Sequence, residues 1–181
     1  PEWGDIELEV DPLGRAWLLS SQTVREVNGS VVYTVDNGRL YEIDFEPDGT
    51  PVVLKNDGLL RFFDGAWHFT HIPNLNSHSV TGFAIDPNKN VWLAAGINGL
   101  QWLPYGSTEV QSPPINAKYV HDIAFDDYGR RYIATSYGWE IQTATGDVLY
   151  QMRNSDLSAD DITTIVILGN GSALPPNVAK T

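Results

Sequence analysis

Cysteine is absent from this 181-residue chain and methionine occurs once. Neither a disulfide framework nor a thiolate metal centre can be built, and an oxidising compartment is neither implied nor excluded. Basic residues are scarce, with 11 Lys and Arg against 23 Asp and Glu and a formal net charge of −12. No Lys/Arg cluster is long enough to follow a phosphate backbone, which argues against nucleic acid and anionic membrane surfaces as partners. No apolar run approaches the roughly 18 residues of a membrane span, so no part of this segment is expected to insert into a bilayer. Sustained helical periodicity is missing. So are a nucleophile elbow, a phosphate loop, a dinucleotide fingerprint and a zinc constellation, and no cofactor or metal is expected.

What the chain does have is apolar mass and a period. Hydrophobic residues make up 42% and aromatic residues 11%, enough to bury a core in one domain or two small ones. Residues 6 to 17, "IELEVDPLGRAW", align with 41 to 52, "YEIDFEPDGTPV", with 81 to 92, "TGFAIDPNKNVW", with 121 to 132, "HDIAFDDYGRRY", and more loosely with 163 to 174, "TTIVILGNGSAL". Gly14, Gly49, Gly129 and Gly171 share one column in which Lys89 is the exception. Trp17, Val52, Trp92, Tyr132 and Leu174 follow three residues later. A second set of turn residues recurs at the same spacing: Asn28-Gly29, Asp64-Gly65, Gly106 and Gly146-Asp147.

Within each unit, period-2 alternation bounded by Gly, Asn, Asp and Pro predicts four short strands. In the first unit these are Ile6–Val10, Ala16–Ser20, Thr23–Val27 and Val31–Val35. In the third they are Val80–Asp86, Val91–Ala95, Gly99–Leu103 and a weak one over Glu109–Gln111. Asn-Gly and Asp-Gly between strands are hairpin signals, because a type I′ turn needs positive φ at both central residues. Four-stranded antiparallel units of about 40 residues predict an all-β chain folded as a β-propeller. The blades fall at residues 5–35, 40–72, 80–112 and 120–152, with the start of a fifth over 162–181. Four blades and part of a fifth point to a piece of a larger propeller; the alternative is a small ring whose last strand latches the first blade.

"IDPNKNVWLAAGINGLQWL" and "IAFDDYGRRYIATSYGWEI" resemble the two-component regulator propeller repeat, in which a strand, a D-x-x-G turn, a W-hydrophobic-small strand and a Gly-hydrophobic strand recur. "NSDLSADDITTIVI", residues 154 to 167, is similar to the polar-Leu-polar connector between blades of such proteins. The first two units depart furthest. Ser21 to Thr23 lack the glycine before the third strand, and Pro51-Val52 replaces the aromatic of the second. The resemblance implies a non-enzymatic ligand-sensing propeller, as in the extracytoplasmic part of a bacterial signalling protein.

Several residues invite chemical readings. Asp86, Asn88 and Asn90 have the spacing that opens a calcium loop, but no later bidentate carboxylate follows. A hairpin turn capped by Asp and Asn side chains is the better reading. His68 and His71 stand three apart in a predicted strand, hence on opposite faces. Asn28-Gly29-Ser30 and Asn170-Gly171-Ser172 match glycosylation acceptors, though a tight turn explains both. The tryptophans, Trp3, Trp17, Trp67, Trp92, Trp102 and Trp139, suit blade packing better than a carbohydrate platform. Glu7, Glu9, Glu42 and Asp44 share one face of the innermost strands, as either a solvated edge or a cation or ligand site, and the solvated reading is preferred.

The candidate ligand site lies where the chain enters the innermost strands: His78, Tyr119, His121, Asp122, Tyr137 and Trp139, with Glu42. Three functions from different classes follow. A sensing propeller would bind a small molecule or glycan, and a scaffold propeller would bind a protein partner. A propeller lyase or hydrolase would use His121 with Asp122 or Glu42 for proton abstraction, although adjacent strand residues face apart.

Overall fold

A computed structural model describes residues 6–113, 119–153, 163–168 and 172–174. The backbone alone is described for 150–153, 166–168 and 172–174. Trp3, most of the 154–167 connector and Gly171 lie outside the described residues. Among the described residues, apart from one 3-10 turn at Ser77–Ser79, the regular structure is all strand.

The first sheet runs in chain order through β1 (Glu7–Val10), β2 (Ala16–Leu19), β3 (Thr23–Glu26) and β4 (Val32–Thr34). The second comprises β5 (Leu40–Phe45), β6 (Pro51–Lys55), β7 (Gly58–Phe63) and β8 (Ala66–His71). The third has β9 (Gly82–Ile85), β10 (Val91–Ala94) and β11 (Leu100–Leu103). Its weak fourth strand is reduced to a single bridge between Trp102 and Gln111. The fourth sheet holds β12 (Val120–Phe125), β13 (Arg131–Thr135), β14 (Gly138–Gln142) and β15 (Val148–Arg153), and β16 (Val166–Leu168) then pairs with β17 (Ser172–Leu174). Every pairing is antiparallel.

These sheets form two compact units. One holds the residues up to His78 with Gly106–Val110, the other Ser79–Tyr105 and the residues from Gln111 on. In each, an aromatic on the second strand of one sheet packs against the innermost strand of the next. Trp17, fully buried, lies 6.1 Å from Phe45, and Trp92 lies 5.7 Å from Phe125. Burying such a ring contributes roughly 2–3 kcal/mol, so this column sets how adjacent sheets meet. Tyr132 continues it, packed with Ala134 and Ile165. Small residues on the opposite face let innermost strands approach: a Cβ on Gly82 would stand 2.9 Å from the Asp122 Cα.

The turn between the first and second strands explains the glycine column and its exception. Gly14, Gly49 and Gly129 have φ of 79°, 84° and 73°, and Lys89 takes the same left-handed conformation at 66°. The second turn column is less uniform. Asp64 and Gly65 are both positive, as a type I′ turn requires, but at Asn28-Gly29 only Asn28 is, because the β3–β4 connection is longer than two residues.

Candidate ligand-binding site

Each first turn is built around a buried acid. The Asp11 Oδ1 accepts the amides of Leu13 (3.0 Å) and Arg15 (2.9 Å), and Oδ2 accepts Arg15 Nε (2.5 Å) and the Trp17 indole (3.0 Å). Asp126 repeats this with Tyr128, Arg130 and the Tyr132 hydroxyl. In the third sheet Asp86 accepts the amides of Asn88 and Asn90, the Asn90 carboxamide at 2.8 Å and the Trp92 indole at 3.0 Å. The oxygens that would ligate calcium are thus committed to the turn. Among the described residues no three His, Asp or Glu side chains come together as a metal site.

The second sheet shows the rule by its exception. Val52 has no donor to offer, the acid is Glu46, and it pairs with Arg61 Nε on β7 at 3.0 Å. This acid column, with its aromatic donor six residues on, is a signal the sequence itself carries, as Asp11 with Trp17, Asp86 with Trp92 and Asp126 with Tyr132.

At the opposite end of the sheets lies a cleft of about 480 Å³ in the first unit, lined by Glu7, Ser20, Ser21, Arg39, Tyr41 and Glu42 with Ile6, Leu19 and Leu40. A β-bulge between Leu40 and Glu42 leaves Tyr41 as the extra residue of β5, and such bulges re-aim a side chain. The Tyr41 hydroxyl meets His78 Nε2 at 3.0 Å. His78 is held in turn because the buried Ser77 donates to the carbonyls of Lys55 (2.8 Å) and Asn56 (2.9 Å). The Arg39 guanidinium lies 5.6 Å from the Tyr41 ring centre. Glu9 is exposed, as the solvated reading has it, but Glu7, Glu42 and Asp44 are partly buried. Burial, reinforced by the charges of Glu42, Glu9 and Asp44, pushes the Glu7 carboxyl from 4.5 to about 8. The Glu7 carboxyl is thereby held in its protonated form across the ordinary carboxylate range.

The second unit repeats the device. A bulge between Val120 and Asp122 leaves His121 as the extra residue, and His121 Nε2 lies 2.9 Å from the Ser136 hydroxyl with the Tyr119 ring 5.1 Å away. Asp122 turns elsewhere, its carboxylate accepting the amides of Ile123 and Ile165, each at 2.8 Å. Its pKa is raised by burial against those two hydrogen bonds. Tyr137 is exposed and Trp139 packs against the Tyr132 cluster. The structure therefore groups Tyr119 with His121 and Glu42 with the Tyr41–His78 pair. His68 stacks on Phe63 and His71 lies 3.8 Å from Asp57, so these two histidines share nothing.

Sheets of this order, size and repeat recur in solved structures. Virginiamycin B lyase from Staphylococcus aureus superposes over 94% of this chain with a TM-score of 0.73 at 14% identity. The extracellular domain assigned to a hybrid two-component system of B. thetaiotaomicron does so over 94% with 0.66 at 18%. One assigned to a one-component system of the same organism covers 92% with 0.66 at 12%. These are β-propeller blades. No family model matches the sequence, and no curated protein matches it significantly. The chain spans 62% of the lyase and 25% and 27% of the two extracellular domains. In blade terms, the cleft lies between the first two blades, where the chain enters their innermost strands. Tyr41 and His121 hold the same bulged position in blades two and four.

Proposed function

We propose that the chain is a non-enzymatic ligand-binding module of a sensing propeller, working outside the cytoplasm and taking a small polar molecule or glycan. The observation that carries this reading is the cleft in which Glu7, Glu42, Arg39, Tyr41 and two serines converge from adjacent blades. Pockets with a few convergent polar groups on a rigid scaffold are the usual form of small-molecule sites, and hydroxyls, a guanidinium and carboxylates together suit a polyhydroxylated ligand. The likeness to extracellular domains of signalling systems supports the sensing role and the location. Lyase chemistry is less well supported. His121 hydrogen-bonds Ser136 while Asp122 holds backbone amides, so the acid–base pair such chemistry needs is not formed by these two residues.

The blades also fit a larger propeller. Ile43 and Phe45 are buried against the preceding blade, whereas Leu8 and Val10 in the same column are 61% and 60% exposed. A mass measurement of the intact source protein tests that reading.

Binding is tested by calorimetry against a panel of neutral and charged mono- and oligosaccharides, with Glu42→Gln and Tyr41→Phe as site variants. A ligand whose affinity falls in both variants supports the reading. A flat panel together with recovery of a protein partner in pull-downs would replace it with the scaffold function.

A further inference from the structure

A second cleft, of about 330 Å³, lies at the other end of the blades in the second unit, beside the turns of Asp86–Asn90 and Gly129. Its walls include Trp92, Trp102, Asn88, Arg131 and Thr145. Arg131 is out of keeping with its column. The equivalent positions of the other blades are Ala16, Pro51 and Val91, small or apolar residues that a packed strand accepts without cost. Here stands an arginine, and the residue is only 5% exposed.

That guanidinium is incompletely partnered. Nη2 donates to the main-chain carbonyls of Ala144 (3.1 Å) and Thr143 (3.4 Å), and Nε, fully buried, has no hydrogen-bond partner. Asp86 and Glu140 are near enough to feel its charge, but Asp86 spends its oxygens on its own turn and Glu140 hydrogen-bonds Gln142. Nε is out of reach of any ligand, but among the described residues the guanidinium has no direct ion pair, and a buried cation in that state is costly unless a further anion meets its accessible part. Beside it stands an aromatic platform. Trp92 lies 4.4 Å below the Arg131 guanidinium carbon, and Trp102 stacks on Trp92 at 5.4 Å with planes 19° apart. Trp102 remains partly exposed along the cleft wall.

We propose that this cleft is a second binding site, for a ligand carrying a carboxylate on a flat ring: the acid meets Arg131 and the ring lies on Trp102. Arginine's planar fork matches a carboxylate in two-point contact, and an indole face accepts either an aromatic ring or the C–H face of a pyranose. Asn88 and Thr145 supply further polar contacts. The site stands apart from the Tyr41 cleft and does not depend on the function proposed for it.

The test is titration of the whole chain, followed by tryptophan fluorescence and calorimetry, with two acid and neutral pairs: glucuronate against glucose, and 4-hydroxyphenylacetate against its amide. At least one acid is expected to bind and shift the fluorescence, at least tenfold more tightly than its neutral counterpart, as a charge-assisted pair requires. Which acid binds tells sugar from aromatic source. Arg131→Val, the residue the third blade carries at this position, should fold and lose the binding, and Arg131→Lys should weaken it at least tenfold by removing the fork. If Arg131→Val does not fold, Arg131→Lys decides. Glu42→Gln should leave this binding unchanged. Failure of both acids to bind, equal binding of acid and neutral partner, or binding that survives loss of the guanidinium would overturn the proposal.

Discussion

Tyr41 and His78 meet at 3.0 Å between hydroxyl and Nε2, their rings 5.4 Å apart, although 37 residues separate them in the chain. The bond joins a bulged residue at the head of one blade to the turn that leaves it, so one wall of the cleft is pinned at both ends. Tyr41→Phe should remove one hydrogen bond, about 1 kcal/mol at this exposed position, and lower the melting temperature by about 2–4 °C. The nitrogen shift of His78 Nε2, measured by NMR, should change with it. An unaltered His78 signal would mean the contact does not hold in solution.

Glu7 makes stability depend on pH in an uncommon direction. Its carboxyl titrates at about 8 when folded against 4.5 ordinarily, so the folded chain holds an extra proton between those values. Stability therefore falls as pH rises from about 4.5 to about 8 and is level beyond. Glu7→Gln should abolish that slope, leaving the variant more stable than wild type at pH 9 and equal to it near pH 4. Thermal melts across that range check it, and parallel curves would refute the shift.

Asp11 works in the opposite sense. Burial alone would raise the Asp11 pKa, but the Arg15 amide, the Trp17 indole and the Arg15 guanidinium outweigh it and hold it low. Its stabilisation is present above the ordinary carboxylate range and is lost as pH falls through the lowered value. Asp126→Ala leaves two amides and the Tyr132 hydroxyl without their acceptor, and should cost about 2–3 kcal/mol in urea denaturation. A loss below about 0.5 kcal/mol would show that water replaces the carboxylate.

Lys89→Gly should stabilise the chain. A lysine at φ 66° carries a left-handed penalty of about 1–2 kcal/mol that glycine avoids, partly offset by glycine's freer unfolded state. The Lys89 ammonium also lies 5.8 Å from the Tyr105 ring centre, a contact the change removes. A net gain of about 0.5 kcal/mol is expected, read from the same denaturation experiment. Destabilisation would show that the ammonium contact outweighs the backbone strain.

The repeat was legible because it is local. Alternation marks a strand whatever surrounds it, and Gly14, Gly49 and Gly129 mark turns that need positive φ. Lys89 could be placed in that column by alignment, but only coordinates show it in the glycine conformation. The reading of Asp86 as a turn acid was right for a reason that could be found in sequence. The indole or hydroxyl it holds recurs six residues on at Trp17, Trp92 and Tyr132, and disappears together with the aspartate at Glu46 and Val52.

The candidate site was less legible. Sequence marks His78, Tyr119, His121, Asp122, Tyr137, Trp139 and Glu42 only by position near one end of the strands, and position along a strand does not say which way a bulged residue turns. A one-residue bulge at Tyr41 and at His121 re-aims each side chain, and no local pattern announces it.

Sequence alone determined the all-β class, the four-stranded unit and its period, and the turn acids, because each depends on residues close together in the chain. Tertiary structure decided the rest. Which carboxylates crowd Glu7, what holds His78, and why Arg131 lies over Trp92 are settled by contacts between residues distant in the chain. The contacts with Glu42 and Asp44, with Tyr41 and Lys55, and with Trp92 join residues 22 to 39 positions apart, and nothing in their own neighbourhoods encodes them.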